Sequence, residues 1–70
     1  MSEQREWYHG VLGSEFWTVY RGWRVFIRKS PLGWHWSIMR DGVGVGSVEH
    51  NRPAAETAAF AAVDKREVLQ

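Results

Sequence analysis

Arginine side chains interleaved with aromatic rings are the residues of this sequence with the clearest chemical potential. Residues 16–40 contain no acidic side chain, and their basic residues are Arg21, Arg24, Arg28, Lys29 and Arg40. Seven of the ten aromatic residues lie between Phe16 and Trp36. Guanidinium groups bind carboxylates and phosphates, and aromatic rings bury large contact areas at interfaces. This combination predicts a binding surface.

Residues that could catalyse a reaction or hold a metal ion are scattered along the sequence. His9, His35 and His50 lie far apart, without the short spacings of metal ligands. The absence of cysteine excludes disulfides, thiolate zinc sites, iron–sulfur clusters and a cysteine nucleophile. The run Gly42-x-Gly44-x-Gly46 lacks the helix start that a phosphate-binding loop requires. We therefore expect a protein that is not an enzyme and that carries no metal or cofactor.

Length and composition indicate one small domain covering residues 1–70. The chain is 44% hydrophobic and 24% charged, with a formal net charge of +1, which is typical of a globular protein. No apolar run approaches the roughly 20 residues of a membrane-spanning helix. The polar start, Met1–Glu6, differs from a signal peptide. We expect a cytoplasmic protein that has no membrane as a partner.

Turn signals and periodicity predict the elements that position the arginines and aromatic rings. Residues 16–49 are rich in β-branched and aromatic residues, and they are divided by turns at Ser30-Pro31-Leu32-Gly33 and Asp41-Gly42. Arg21-Gly22 indicates either a third hairpin turn or a bulge. The alanine-rich segment 53–67 is typical of a helix. The predicted fold is α+β, an antiparallel sheet of three or four strands (about 16–49) with one C-terminal helix (about 53–67) packed on one face.

The N-terminal segment, residues 1–15, gives no firm secondary-structure signal. It could cover the sheet, extend it, or form part of an interface. An exposed edge strand of an open sheet could also pair with the same strand of a second copy. The sequence therefore leaves a monomer and a homodimer equally open.

Strand alternation divides the predicted sheet into two faces. A two-residue loop at Asp41-Gly42 sets Arg40 opposite Val43 and Met39 opposite Gly44, and the preceding turn sets Ile27 opposite Trp36. One face then carries an apolar set for the helix to cover: Trp23, Val25, Ile27, Trp34, Trp36, Ile38, Val43 and Val45. The helix would present the small side chains Ala55, Ala58, Ala59 and Ala62 to that set.

The other face of the sheet is the predicted binding surface. It carries Arg24, Phe26, Arg28, His35, Ser37, Met39, Gly44 and Gly46. The candidate binding residues are Arg21, Arg24, Phe26, Arg28, His35, Met39 and Arg40. The alternative is a merely solvated sheet face, on which residues 1–15 cover Phe26 and the glycines relieve crowding in a twisted hairpin.

A set of short motifs over residues 20–65 is similar to the AP2-type DNA-binding domain. The motifs are Tyr20-Arg21-Gly22, Pro31-Leu32-Gly33-Trp34-His35-Trp36, Arg40-Asp41 and Val45-Gly46-Ser47, followed by the alanine-rich helix. That family lays a three-stranded sheet, backed by one helix, into the major groove. The resemblance implies that Arg21, Arg24, Arg28 and Arg40 contact phosphates or guanine edges.

A second resemblance is one of type. Small, cysteine-free, tryptophan-rich chains with a sheet and one helix resemble phage-encoded accessory proteins, among them anti-CRISPR inhibitors. This resemblance implies a non-catalytic protein that occupies a surface of a larger protein or nucleoprotein complex through its basic-aromatic face. We expect this phage-type inhibitory function, with AP2-like DNA binding through the same face as the alternative.

Overall fold

A five-stranded antiparallel sheet with one helix on one face forms the structure, a computed structural model that describes residues 7–10 and 15–68. The elements are β1 (Tyr8–His9), β2 (Glu15–Tyr20), β3 (Trp23–Ser30), β4 (Gly33–Arg40), β5 (Val43–Glu49) and α1 (Arg52–Val68). The strands are adjacent in chain order. The predicted α+β class is confirmed, with one strand more than expected.

The additional strand, β1, belongs to the N-terminal segment, for which three arrangements were left open above. Tyr8 pairs with Trp17 and His9 pairs with Phe16 of β2. The described part of this segment therefore extends the sheet. Residues 1–6 and 11–14 of the same segment lie outside the described residues.

Two-residue turns connect β2 through β5. Arg21 and Gly22 have φ values of 53° and 83°, and Asp41 and Gly42 have values of 52° and 79°. Positive φ at both central residues is typical of type I′ turns, whose twist matches that of the flanking strands. The Asp41-Gly42 turn is confirmed, and Arg21-Gly22 forms a hairpin turn and not a bulge.

The strand register agrees with the sequence prediction at every predicted pair. In β4 and β5, Arg40 pairs with Val43, Met39 with Gly44, Ile38 with Val45, Ser37 with Gly46, Trp36 with Ser47 and His35 with Val48. In β3 and β4, Ile27 pairs with Trp36, Val25 with Ile38 and Arg28 with His35. Both hairpins therefore present the predicted faces.

The core lies between the sheet and α1. Its buried apolar side chains are Trp23, Val25, Ile27, Ile38, Ala55, Ala59 and Val63. Trp34, Trp36 and Val45 are half-buried, as are Ala58 and Ala62 of the helix. Val43 is 55% exposed, so the prediction that the helix covers it is wrong. Val43 follows the turn on the edge strand, whereas α1 packs mainly over β3 and β4.

Helix α1 begins with a side-chain cap. The Asn51 Oδ1 atom accepts a hydrogen bond from the backbone N–H of Ala54 at 2.8 Å, which satisfies one of the unpaired amides of the first turn. Within that turn, Arg52 donates to the Glu56 carboxylate at 2.7 Å. The helix extends one residue beyond the predicted bounds at each end.

No helix in residues 7–10 and 15–68 has the length and apolar character needed to cross a membrane.

Candidate binding face

The sheet surface opposite α1 carries the candidate site, and we call it the open face. Alternation along β3 and β4 places Arg24, Phe26 and Arg28 on this surface together with His35, Ser37 and Met39. The register adds Tyr8, Glu15, Trp17 and Val19 from β1 and β2, and Gly44, Gly46 and Val48 from β5. Five of the seven predicted binding residues therefore lie on one surface.

A row of three aromatic side chains crosses the open face at right angles to the strands. Tyr8 stacks on Trp17 with ring centroids 4.6 Å apart and planes inclined by 28°, and Trp17 pairs with Phe26 on β3. The row continues into two small residues, because Phe26 pairs with Ser37 and Ser37 pairs with Gly46. The surface therefore steps down from bulky rings to nearly bare backbone.

A groove of about 690 Å³ occupies the open face at this step. Its lining includes the rings of Trp17 and Phe26, the Met39 side chain, and the polar groups of Arg28 and His35. This volume lies in the range of clefts that hold small molecules or the anchoring side chains of a partner. Mostly apolar lining with a few polar groups is also typical of such clefts.

The two glycines of β5 on the open face differ in their steric surroundings. A Cβ atom at Gly46 would lie 2.6 Å from the carbonyl oxygen of Trp36 and 3.2 Å from the Cβ of Ser37, so glycine is required there by the close approach of β4. A Cβ atom at Gly44 would lie 3.4 Å from the Met39 Cγ, an ordinary contact. Relief of crowding thus explains Gly46 and leaves the bare backbone at Gly44 without a steric reason.

Arg24 and Arg28 are the cations that the open face presents. Both are exposed, and neither forms an ion pair with any of the described residues. Glu15 is the cross-strand neighbour of Arg28. With His35 neutral, two arginines and one glutamate give the described part of this face a formal charge of +1. The face is mildly basic.

Arg21 and Arg40, the other two predicted binding residues, lie away from the open face and bind carboxylates of α1. The Arg21 Nη1 atom donates to the Asp64 Oδ1 atom at 2.9 Å. Arg40 donates to Glu67 at 3.3 Å and lies over the Trp23 ring, 4.9 Å from its centroid. These contacts attach the helix to the sheet, and they occupy the two guanidinium groups.

The Asp64 carboxylate also accepts a hydrogen bond of 2.7 Å from the Tyr20 hydroxyl. The hydrogen bonds from Tyr20 and then from Arg21 hold the pKa of Asp64 below its ordinary value. The hydrogen bond between Arg21 and Asp64 also raises the pKa of Arg21 further above its already high value. Both groups are therefore charged at neutral pH.

Tyr8 and Trp17 are the aromatic residues of the open face that the predicted site lacks. The position of Trp17 could have been predicted from the sequence, because a two-residue turn at Arg21-Gly22 places Trp17 opposite Phe26. Tyr8 has no comparable signal, because a two-residue strand is too short to show alternation. Its position is set by pairing and by stacking on Trp17.

The three histidines occupy separate environments. His9 packs edge-on against Phe16 with centroids 4.9 Å apart, His35 lies on the open face, and His50 is exposed after β5. Within residues 7–10 and 15–68, no three His, Asp or Glu side chains form a group that could hold a metal ion.

Comparisons with protein-family models, with curated proteins and with solved structures gave no match for this chain. The chemistry of the open face therefore carries the functional assignment.

Proposed function

We propose that this chain is a non-catalytic binding protein that occupies a surface of a larger protein or nucleoprotein complex with its open face. The observation that carries this proposal is the aromatic row lying beside Arg24, Arg28 and a groove of about 690 Å³. Tryptophan, tyrosine, phenylalanine, methionine and arginine are the residues that protein interfaces enrich at their centres. The more specific form, a cytoplasmic inhibitor of the phage type, stays a prediction.

Occupancy suits this groove better than catalysis does. The groove lies on a sheet face that the helix leaves uncovered, so water reaches its polar groups. Catalytic electrostatics depend on positioned dipoles in a site from which water is excluded. A surface of this kind instead gains its binding energy when a partner covers the rings and displaces their water.

Nucleic-acid binding through the same face is the second candidate, and the aromatic row is the observation that favours it. Bases of single strands stack on aromatic side chains of a sheet while cations contact the phosphates. The AP2-like interpretation requires four arginines, and Arg21 and Arg40 are bound to Asp64 and Glu67. The arrangement therefore favours a single strand lying on the row over a duplex held by four arginines.

A photo-crosslinking experiment tests the proposed function. A photoreactive amino acid is placed at Met39 on the open face and, as a positional control, at Leu32, which is 82% exposed in a turn. We expect the photoreactive group at position 39 to crosslink to one partner and the group at position 32 to crosslink to none. Equal crosslinking from both positions would contradict it.

The matched charge variants are Arg28→Glu and Lys29→Glu. The two side chains are neighbours in β3 on opposite faces of the sheet, and both are exposed. Each substitution changes the net charge by the same amount, so long-range electrostatics are equal. We expect Arg28→Glu to abolish the crosslink at position 39 and Lys29→Glu to preserve it. Loss in both variants would indicate attraction by net charge and not recognition by the open face.

The nature of the partner is tested by titrating the tryptophan fluorescence with single-stranded and duplex DNA at about 50 and 200 mM salt. Salt-sensitive binding of single strands, abolished by Arg28→Glu, would support the second candidate. No binding at low salt would leave a protein surface as the partner.

A further inference from the structure

Strand β5 forms one edge of the sheet and lacks the features that commonly protect an edge. In the described part of the chain no strand lies on its outer side. Residues 43–48 contain no charged residue and no proline, and Val43 and Val48 are 55% and 41% exposed. Lysine, proline, bulges and short length are the usual protections against pairing with another strand. The strand at the opposite edge, β1, is protected by its short length of two residues.

The register of the β4–β5 hairpin fixes which backbone groups of β5 point outward. A two-residue turn makes Arg40 and Val43 a hydrogen-bonded pair, and such pairs alternate along an antiparallel ladder. The N–H and C=O groups of Gly44, Gly46 and Val48 therefore point away from β4. Two of these residues are glycines, so no side chain shields their outward backbone groups.

We propose that β5 pairs antiparallel with β5 of a second copy of this chain, about a twofold axis at Gly46. In that register Gly46 faces Gly46 of the second copy, and Gly44 faces Val48 on each side of the axis. Each pair exchanges two hydrogen bonds, so every outward group of the three residues has a partner. Moving the axis to Val45 or Ser47 leaves outward groups without one. This inference is independent of the function proposed for the open face.

Side-chain size and charge also suit this register. The bare backbone of Gly44, which no close contact explains, lies opposite the branched side chain of Val48. Glu49 lies opposite Val43, so no like charges meet. The twofold axis places both helices on the same face, each packed mainly over β3 and β4. The two β4 strands would be three strand spacings apart, about 14 Å, which exceeds the 8–10 Å between packed helices.

Sedimentation and amide exchange of the unmodified protein test this pairing. We expect a monomer–dimer equilibrium, with the N–H groups of Gly44, Gly46 and Val48 gaining protection from exchange as the dimer forms. A protein that sediments as a monomer at about 1 mM would overturn the proposal, because a dissociation constant above that value reflects negligible specific pairing. A dimer in which these three amides stay unprotected would also overturn it.

Val48→Pro and Val48→Thr form a matched pair for the same test. Proline removes an outward N–H that β4 does not use, so the hairpin should keep its own ladder, whereas threonine keeps both the N–H and the branched shape. Val48→Pro removes two hydrogen bonds across the axis, each worth roughly a factor of five, so we expect it to raise the dissociation constant of the dimer about 25-fold. Val48→Thr should remain within about twofold of the unmodified chain. Equal dimerisation of the two variants would place the interface elsewhere and overturn the proposal.

Discussion

Replacing Gly46 with alanine adds a methyl group at a close approach between β4 and β5. The new Cβ atom would lie 2.6 Å from the carbonyl oxygen of Trp36, well inside the 3.5–4.0 Å at which non-bonded atoms attract. That oxygen belongs to the backbone of β4, so no side-chain rotation relieves the overlap and the two strands must move apart. Overpacking of this kind costs about 2 kcal/mol.

Alanine also gains stability, because it restricts the unfolded chain more than glycine does, by about 0.5–1 kcal/mol. The expected net loss for Gly46→Ala is therefore about 1–1.5 kcal/mol, or roughly 5–10 °C in Tm for a chain of this size. Gly44→Ala is the matched control, since its methyl group meets Met39 at an ordinary distance of 3.4 Å. We expect Gly44→Ala to be stabilising by about 0.5 kcal/mol.

Urea unfolding followed by the fluorescence of the five tryptophans measures both variants. The protein is kept dilute so that association through β5 makes no contribution to the free energy of unfolding. The two midpoints should differ, with Gly46→Ala unfolding at the lower urea concentration and with an unchanged dependence on urea. Equal midpoints would refute the reasoning, because they would mean that β4 does not constrain position 46.

Three further predictions concern other parts of the structure. The pKa of Asp64 is lowered chiefly by the hydrogen bond from Tyr20, so this carboxylate stabilises the fold above its unfolded-state pKa, and the contribution is lost as pH falls through its folded-state pKa. Asp64→Asn should therefore flatten the acid side of a plot of Tm against pH, and an unchanged acid side would contradict this. Asn51→Ala removes the cap of α1 and should lower the free energy of unfolding by about 1 kcal/mol in a chemical denaturation, whereas Asn51→Asp should preserve it; equal losses would argue against capping. Duplex DNA bound through Arg24 and Arg28 alone should lose about 12-fold in affinity between about 50 and 200 mM salt in the tryptophan-fluorescence titration, and a loss of about 150-fold would show that four cations take part.

The sheet could be predicted from the sequence because its determinants are local. Asp41-Gly42 specifies a two-residue turn, and that turn alone sets every pair between β4 and β5. The same alternation then separates Arg24, Phe26 and Arg28 from the core residues of β3. The helix was predictable for a similar reason, since alanine content and a capping residue act within a few positions of the chain.

The parts that the sequence did not predict depend on contacts between distant residues. Arg21 and Arg40 carry the same charge as Arg24, but Arg21 lies in a turn and strand alternation places Arg40 on the helix face. Their carboxylate partners on α1, 43 and 27 residues away, have no local signal in the sequence. The exposure of Val43 follows from the path of the helix over β3 and β4. Tyr8 joins the open face through a strand too short to have a recognisable period.

The order of the strands has a consequence for how the chain folds. Each strand pairs with its neighbour in sequence, so the sheet assembles from hairpins, which form within about 1–10 µs. Isolated hairpins are marginally stable in water, and among the described elements α1 supplies the distant contacts, such as that of Tyr20 with Asp64 across 44 positions. We therefore expect rapid, reversible sampling of the hairpins, followed by a slower step in which the helix closes over Trp23 and Ile38. The open face acquires its lasting shape in that step, through contacts made on the opposite side of the sheet.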